Sequence, residues 1–400
     1  MLDFQMLKQR TGQMEAQIRS IYQHLHQYPE VAHQEQGTNR YIRALLDEWG
    51  IPYLAPQDNI TIAVIDSGRE GATVGIRCDT DALPVTEETG LAYASKNPGV
   101  MHACGHDGHI AMGLGAAKAL HEARGQWQGR AKIIFQPAEE GEDGAGEVIA
   151  TGLVQDVDVF FGIHLWSAYP TGGLHASCTV TSAAVDMFEI RIRGKGGHGA
   201  TPEKCSDAIV AACEIVNNLQ AIVSRRVSPL DPALITIGSF HAGTAGNIIA
   251  EEAQLKGTFR TLQDDTRRLV TAAIGEMVES IAKIHGCTGE FINHPLHSAV
   301  HNDQKATEIA RRCGIALTGK IHDQQTAMLG DDFSGYGQIG PYCYMQIGIA
   351  DKQKGTHFAH HNGRFAIDPD MLPLGAAWLA ASAAMAGEEW LPKSVEKKEE

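Results

Sequence analysis

Nine residues, Met101-His-Ala-Cys-Gly-His-Asp-Gly-His109, hold one thiol and three imidazoles. Cys104 and His106 stand two apart with Gly105 between them. On a helix that spacing would point them away from each other, so it belongs at a strand end or in a loop. Gly105 and Gly108 favour a loop. An Ala/Gly-rich helical pattern follows from Ile110 to Glu122, with Asp107 in position to cap it. The corner can therefore hold a rigid pair of metal ligands. The plainer alternative, a reduced structural cysteine among surface histidines, suits these nine residues equally well, because short Cys/His clusters are suggestive without being diagnostic.

Further donors lie along the chain. Cys104, His106, Glu140, His164 and one histidine from the cluster His357, His360 and His361 make five, more than the four of a closed structural zinc site. Thiolate, imidazole and carboxylate together suit zinc, cobalt, nickel or manganese better than magnesium or calcium. With a bridging thiolate or water the set allows two metals, which as a pair polarise a carbonyl and lower the pKa of bound water. In Glu139-Glu140 one carboxylate can bind metal while the other acts as general base. An isolated Glu pair in a loop is more often a solvated acidic patch; the strand before it, Gly141 after it and the other donors reverse that reading. Asp81 can orient a ligand, its rival role being a turn residue before Pro84. His109 and His121 are expected on the helix surface. No G-x-S-x-G is present, and Gly194-Lys-Gly-Gly-His198-Gly lacks the Lys-Ser/Thr ending of a phosphate loop.

The elements that must position these groups follow from periodicity. Residues 5 to 28 carry apolar side chains at helical spacing up to Pro29, and a second helix runs from Thr38 to Trp49. Apolar strands are expected at Ile60–Ile65, Thr73–Cys78, Lys132–Phe135 and Val157–Ile163, alternating with helices as in an α/β sheet. Asp79 and Asp81, Glu139 and Glu140, and His164 each fall just past a strand's C-terminal end, the edge where open α/β sheets bind ligands. After Gly173 the pattern changes: strand Asp186–Arg193, helix Glu203–Val223, strands Leu234–Phe240 and Gln254–Arg260, helix Asp264–His285, strand Thr288–Asn293. That β-α-β-β-α-β order is ferredoxin-like and reads as an insert. The expected division is 1–183 and 294–400 for the first domain and 184–293 for the insert, with a charged, frayed tail from Ser394 to Glu400.

Composition sets the bounds. With 400 residues and a net charge of −15, the chain is expected to bind neither nucleic acid nor an anionic membrane. No signal-peptide pattern opens it and no apolar run would cross a bilayer. Eight scattered cysteines then read as reduced thiols in the cytoplasm.

Together these residues resemble the peptidase family M20 metallohydrolases, most closely the aminoacylase/hippurate hydrolase branch that also holds the plant auxin-conjugate hydrolases. The resemblance spans nearly the whole chain: Leu25-His-Gln-Tyr-Pro-Glu30, Glu35-x-x-Thr38, Arg77-x-Asp-x-Asp-Ala-Leu-Pro84, Met101-His-Ala-Cys-Gly-His-Asp107, Phe135-Gln-Pro-Ala-Glu-Glu-Gly141, His164-Leu-Trp166, Gly194-x-Gly-Gly-His198, Gly243-Thr-Ala-Gly-Asn247, Gly257-Thr-Phe-Arg-Thr261 and Asp331-Asp-Phe-Ser334. It implies a zinc-peptidase-like α/β catalytic domain with an inserted ferredoxin-like lid and dimerisation domain. It implies Cys104, His106, Glu140, His164 and His361 as ligands of two divalent metal ions and Glu139 as general base. It further implies His198 as an oxyanion stabiliser and Asn247 and Arg260 as substrate contacts, Arg260 suiting a free carboxylate. The family's last motif has Pro two residues after its ligand His, whereas here the run is Ala359-His-His-Asn-Gly-Arg-Phe365. His361 keeps the spacing to Phe365 and Asp368, with His360 the alternative. The expectation is a metal-dependent amidohydrolase of small N-acyl-L-amino acids, a homodimer or homotetramer. Its rivals are a dipeptidase or carboxypeptidase of the same superfamily, a catalytically silent binding protein on this fold, and a structural zinc protein, which the spare carboxylate disfavours.

Overall fold

The computed structural model describes residues 3–141 and 143–392; the tail from Ser394 to Glu400 lies outside them. The chain divides into two compact units, one of Met1–Thr181, His301–Gln325 and Asp332–Glu400, the other of Ser182–Val300 and Thr326–Asp331. The second is wider than the expected 184–293. Among the described residues no helix is long and apolar enough to cross a membrane.

The first unit is built on a seven-stranded sheet: β1 (Tyr53–Gln57), β2 (Ile60–Asp66), β3 (Thr73–Asp79), β4 (Arg130–Gln136), β5 (Val159–Pro170), β6 (Leu174–His175) and β7 (Tyr342–Ala350). Their order is β1-β2-β4-β3-β5-β7-β6. The central strands β4, β3, β5 and β7 are parallel. Parallel strands are covered on both faces, so they read as unbroken apolar runs; β3 and β4 are buried along almost their whole length. The helix His106–Glu122 crosses from β3 to β4 and packs on the helix Leu372–Glu389. Both are buried nearly all round, as helices without a polar face must be. Small residues permit the close approach: a Cβ on Gly113 would fall on Cys78 Sγ, and one on Gly375 on Met112 Sδ.

Three local expectations change. The helix foreseen over 5–28 is two, Phe4–Gln13 and Glu15–Gln27, broken at Met14 just after Gly12, a poor helix residue. The cap of His106–Glu122 is not Asp107 but Gly105, at φ 94°, a left-handed conformation that glycine takes at little cost. Finally, β5 runs on to Pro170, so His164 lies within it. Its pairing with β3 stops at Gly162, so His164 lies past the last paired residue, level with Asp79 at the end of that neighbour.

The second unit carries a four-stranded antiparallel sheet in the order Ala233–Ala242, Glu252–Thr261, Ala184–Arg193, Thr288–His297. With the helices Ala208–Ala221 and Asp264–Ile284 this is the ferredoxin-like arrangement. Phe188, Ile190, Ile192, Leu255 and Phe259 point to a core shared with Ile215, Val270 and Ile274. The first helix is shorter than the expected Glu203–Val223, because Pro202–Lys204 forms a separate 3-10 turn and Asp207 caps the helix through Ile209 and Val210.

Candidate active site

The C-terminal ends of β3 and β4 and the unpaired stretch of β5 bring the donors together. His106 Nδ1 donates to the Asp81 carbonyl oxygen at 2.9 Å. A carbonyl only accepts, so Nδ1 carries a proton, and in the neutral ring Nε2 presents the lone pair. His164 is fixed the same way, Nδ1 donating to Leu165 O at 2.8 Å, with Nε2 3.5 Å from Cys104 Sγ. His361 Nε2 stands 3.2 Å from Glu140 Oε1, and the His361 N–H, in a residue at φ 64°, donates to Ala103 O at 2.8 Å. His360 turns elsewhere: its Nε2 donates to Leu165 O at 2.9 Å and its Nδ1 meets Ser167 Oγ at 3.1 Å. His361 is thus the one of the pair that faces Glu140.

Two trios result. The ligand atoms of Cys104, His106 and His164 lie within 4.8 Å of one another, and so do those of Cys104, Glu140 and His361. Cys104 belongs to both. Two buried atoms here lack a well-directed hydrogen bond, His106 Nε2 and Glu140 Oε1, the latter meeting only the His361 ring at 3.2 Å; a buried polar group left unpaired costs about 1–3 kcal/mol. Orphaned donors of this chemistry, imidazole and carboxylate beside a thiol, fit a divalent cation such as zinc, manganese, cobalt or nickel. Glu139 Oε2 is 3.9 Å from His106 Nε2, as is Glu140 Oε1.

The electrostatics agree. Burial would lower the His106 pKa, but the carboxylates of Asp79, Asp81 and Glu140 raise it to about 10. Burial, then the charges of Glu140 and Glu139, push the Cys104 thiol well above its usual range. Burial drives His164 well below its ordinary value, so it is neutral. A divalent cation held by these groups would reverse the first two tendencies, since a metal-bound imidazole and thiolate are deprotonated.

A surrounding frame holds the donors. Asp81 Oδ2 accepts the Glu140 N–H at 2.9 Å, and its Oδ1 is 3.3 Å from His106 Nδ1, so Asp81 touches two of the donors. Glu35 Oε1 accepts the Ala138 N–H at 2.9 Å, pinning a buried alanine at φ 53° just before Glu139. Burial raises the Glu35 pKa to about 7 against these backbone bonds. Arg77 bridges Asp79 and Asp332, at 2.5 and 2.6 Å, and Asp332 also takes Gln136 Nε2 and the Ala145 N–H. Sequence reasoning quoted Glu35, Arg77 and Asp332 within motifs but assigned them no role. It also misplaced His109, which is buried rather than on the surface; its position three residues after His106, on one helix face with it, was the available signal. Asp107, instead of capping, accepts from His26 Nδ1 at 2.7 Å.

Three of the expected residues belong to the second unit. His198 pairs with Ile248 in a two-stranded ribbon, and the Gly199 N–H donates to Asn247 O at 2.9 Å, so His198 and Asn247 are neighbours. His198 Nδ1 accepts the Ala200 N–H at 3.1 Å, which leaves Nε2–H as its donor. Arg260, on the strand Glu252–Thr261, is half-buried and forms no ion pair among the described residues.

Residues 75–384 match the model of peptidase family M20/M25/M40. The chain is 41% identical to an N-acyl-L-amino acid amidohydrolase of Geobacillus stearothermophilus over 71% of this chain and 78% of that one. It is 35% identical to thermostable carboxypeptidase 1 of Saccharolobus solfataricus over 92% and 95%. A solved Bacillus subtilis structure, described as a dinuclear metal-binding peptidase of the M20 family, superposes with a TM-score of 0.84 at 31% identity, covering 94% of this chain and 99% of that one. The chain belongs to peptidase family M20/M25/M40, and it is a hydrolase of amide bonds supported by divalent metal.

The buried His26 supplies a pH test. Burial opposes its charge, but hydrogen bonds to Asp107 and Glu87 raise its pKa to about 9, against roughly 6.5 when unfolded. A raised pKa stabilises the fold fully below pH ~6.5, and the gain disappears as pH climbs through ~9. In urea unfolding of wild type and His26→Asn, the stability gap is expected to be widest near pH 6 and to shrink toward pH 9. A gap independent of pH contradicts the charged pair.

Proposed function

We propose that the chain hydrolyses N-acyl-L-amino acids to a carboxylate and a free amino acid. The observation that carries this reading is the meeting of two ligand trios on Cys104 with Glu139 beside them. Cys104, His106 and His164 would hold one divalent cation and Cys104, Glu140 and His361 a second, and such a pair polarises a carbonyl and acidifies water. Asp81 keeps His106 and the Glu140 peptide in register. Glu139 takes a proton from the attacking water and returns it to the departing amine nitrogen. His198, held as an Nε2–H donor by Ala200, donates to the oxyanion of the tetrahedral intermediate. Arg260, half-buried without a carboxylate of its own, pairs with the free carboxylate of the substrate, and Asn247 adds a polar contact beside His198.

The inserted unit serves in this reading as lid and dimerisation domain. Free cysteines throughout suit the reducing cytoplasm. The carboxypeptidase reading shares the Arg260 argument, since peptides also end in a carboxylate, and the Saccharolobus relative bears that name.

Steady-state kinetics on N-acetyl-amino acids, N-benzoyl-amino acids and dipeptides separate the two. N-acyl substrates are expected to lead; faster turnover of dipeptides would favour the peptidase. Glu139→Gln is expected to keep its metal and lose kcat by about 10²–10⁴-fold. Near-normal turnover in that variant would remove Glu139 as base. Arg260→Gln is expected to raise KM for acids but not for the corresponding amino-acid amides; an equal rise for both contradicts the carboxylate contact.

A further inference from the structure

His109 has no part in the chemistry above, yet it is one of the most constrained side chains at this edge. It is 2% exposed. The Leu165 N–H donates to its Nε2 at 3.0 Å, and its Nδ1 lies 2.6 Å from Asp79 Oδ1. A backbone N–H can only donate, so Nε2 carries the lone pair and Nδ1 carries the proton, directed at Asp79. The other Asp79 oxygen is held by Arg77 at 2.5 Å, which leaves the carboxylate little freedom to turn.

Leu165 is where this matters. The pairing of β5 with β3 ends at Gly162, and past that point the Leu165 N–H finds its acceptor in the His109 imidazole. The Leu165 carbonyl then receives two histidines, His164 Nδ1 at 2.8 Å and His360 Nε2 at 2.9 Å. The first bond fixes the tautomer of His164 and turns its Nε2 toward Cys104. The second anchors the residue next to His361. The His109 ring also lies edge-on to His164 at 4.8 Å and stacks on His106 at 5.4 Å.

We propose that His109 is a positioning residue: held by Asp79, it clamps the Leu165 peptide and thereby aims His164, and through His360 the 360–361 loop, at the shared cysteine. The role rests on the reading of His164 and Cys104 as metal ligands. It differs from direct orientation of a ligand by a carboxylate or carbonyl, because the link runs through a backbone amide.

Two substitutions divide the clamp. His109→Gln places an amide oxygen where Nε2 was and keeps an acceptor for Leu165 while losing the donor to Asp79. His109→Asn places an amide nitrogen where Nδ1 was and keeps the Asp79 contact while losing Leu165. Chelator-stripped proteins are titrated with Co(II), the thiolate-to-cobalt absorption band is followed, and melting temperatures are measured alongside. His109→Gln is expected to retain most of the cobalt affinity. His109→Asn is expected to weaken it by about 10–100-fold, with kcat reduced, KM little changed and a melting temperature no lower than that of the Gln variant. Equal affinity in both variants, or losses in both that follow melting temperature alone, overturn the clamp. A wild-type protein that develops no thiolate-to-cobalt band overturns instead the ligand reading on which the clamp stands.

Discussion

Four carboxylates, those of Asp79, Asp81, Glu139 and Glu140, crowd one edge of the sheet around buried imidazoles and a buried thiol. Negative charge in so little water needs positive charge close by. Arg77 meets part of the need, from behind, at Asp79. Toward the ligand side the described groups that meet Glu139 and Glu140 are the imidazoles of His106 and His361, whose protonation would occupy the lone pairs that chemistry requires. The rest of the unit follows from this constraint. Asp79 is tied down by Arg77 and His109, Asp81 by the Glu140 N–H, and the strained turn at Ala138 by Glu35. Each anchor turns a donor inward and keeps it from relaxing toward water.

Backbone carries much of this precision. His106, His164 and His360 each donate to a carbonyl, of Asp81 or Leu165, so strand ends and not mobile side chains set the ring orientations. The fold supplies these fixed points by letting β5 outrun β3 and by starting the helix at His106 straight from a left-handed Gly105. Ala/Gly-rich helices pressed onto β3 and onto each other leave that platform little room to shift.

Much of this was legible in the residues. The apolar runs over Thr73–Cys78 and Lys132–Phe135 announced buried parallel strands, and Asp79 with Asp81 and the glutamate pair lie at or just past their ends. The β-α-β-β-α-β order of the insert gave its sheet. Other features had no local signature. The helix His106–Glu122 is buried on nearly every side, so it shows no amphipathic stripe to mark His109 as an inner residue. The length of β5 depends on its partner β7, nearly two hundred residues away in the chain. Adjacent His360 and His361 are alike in sequence; the left-handed backbone at His361 and the Leu165 carbonyl that engages His360 separate them. Arg77 and Asp332 meet only because the sheet brings distant segments together.

The central claim is that one cysteine serves two metal sites. Anomalous diffraction at the metal edge, from crystals of the metal-loaded protein, tests it most directly. The account predicts two peaks, both bonded to Cys104 Sγ, one shared with His106 and His164 and the other with Glu140 and His361. A single peak, or two of which neither touches Cys104, would contradict it.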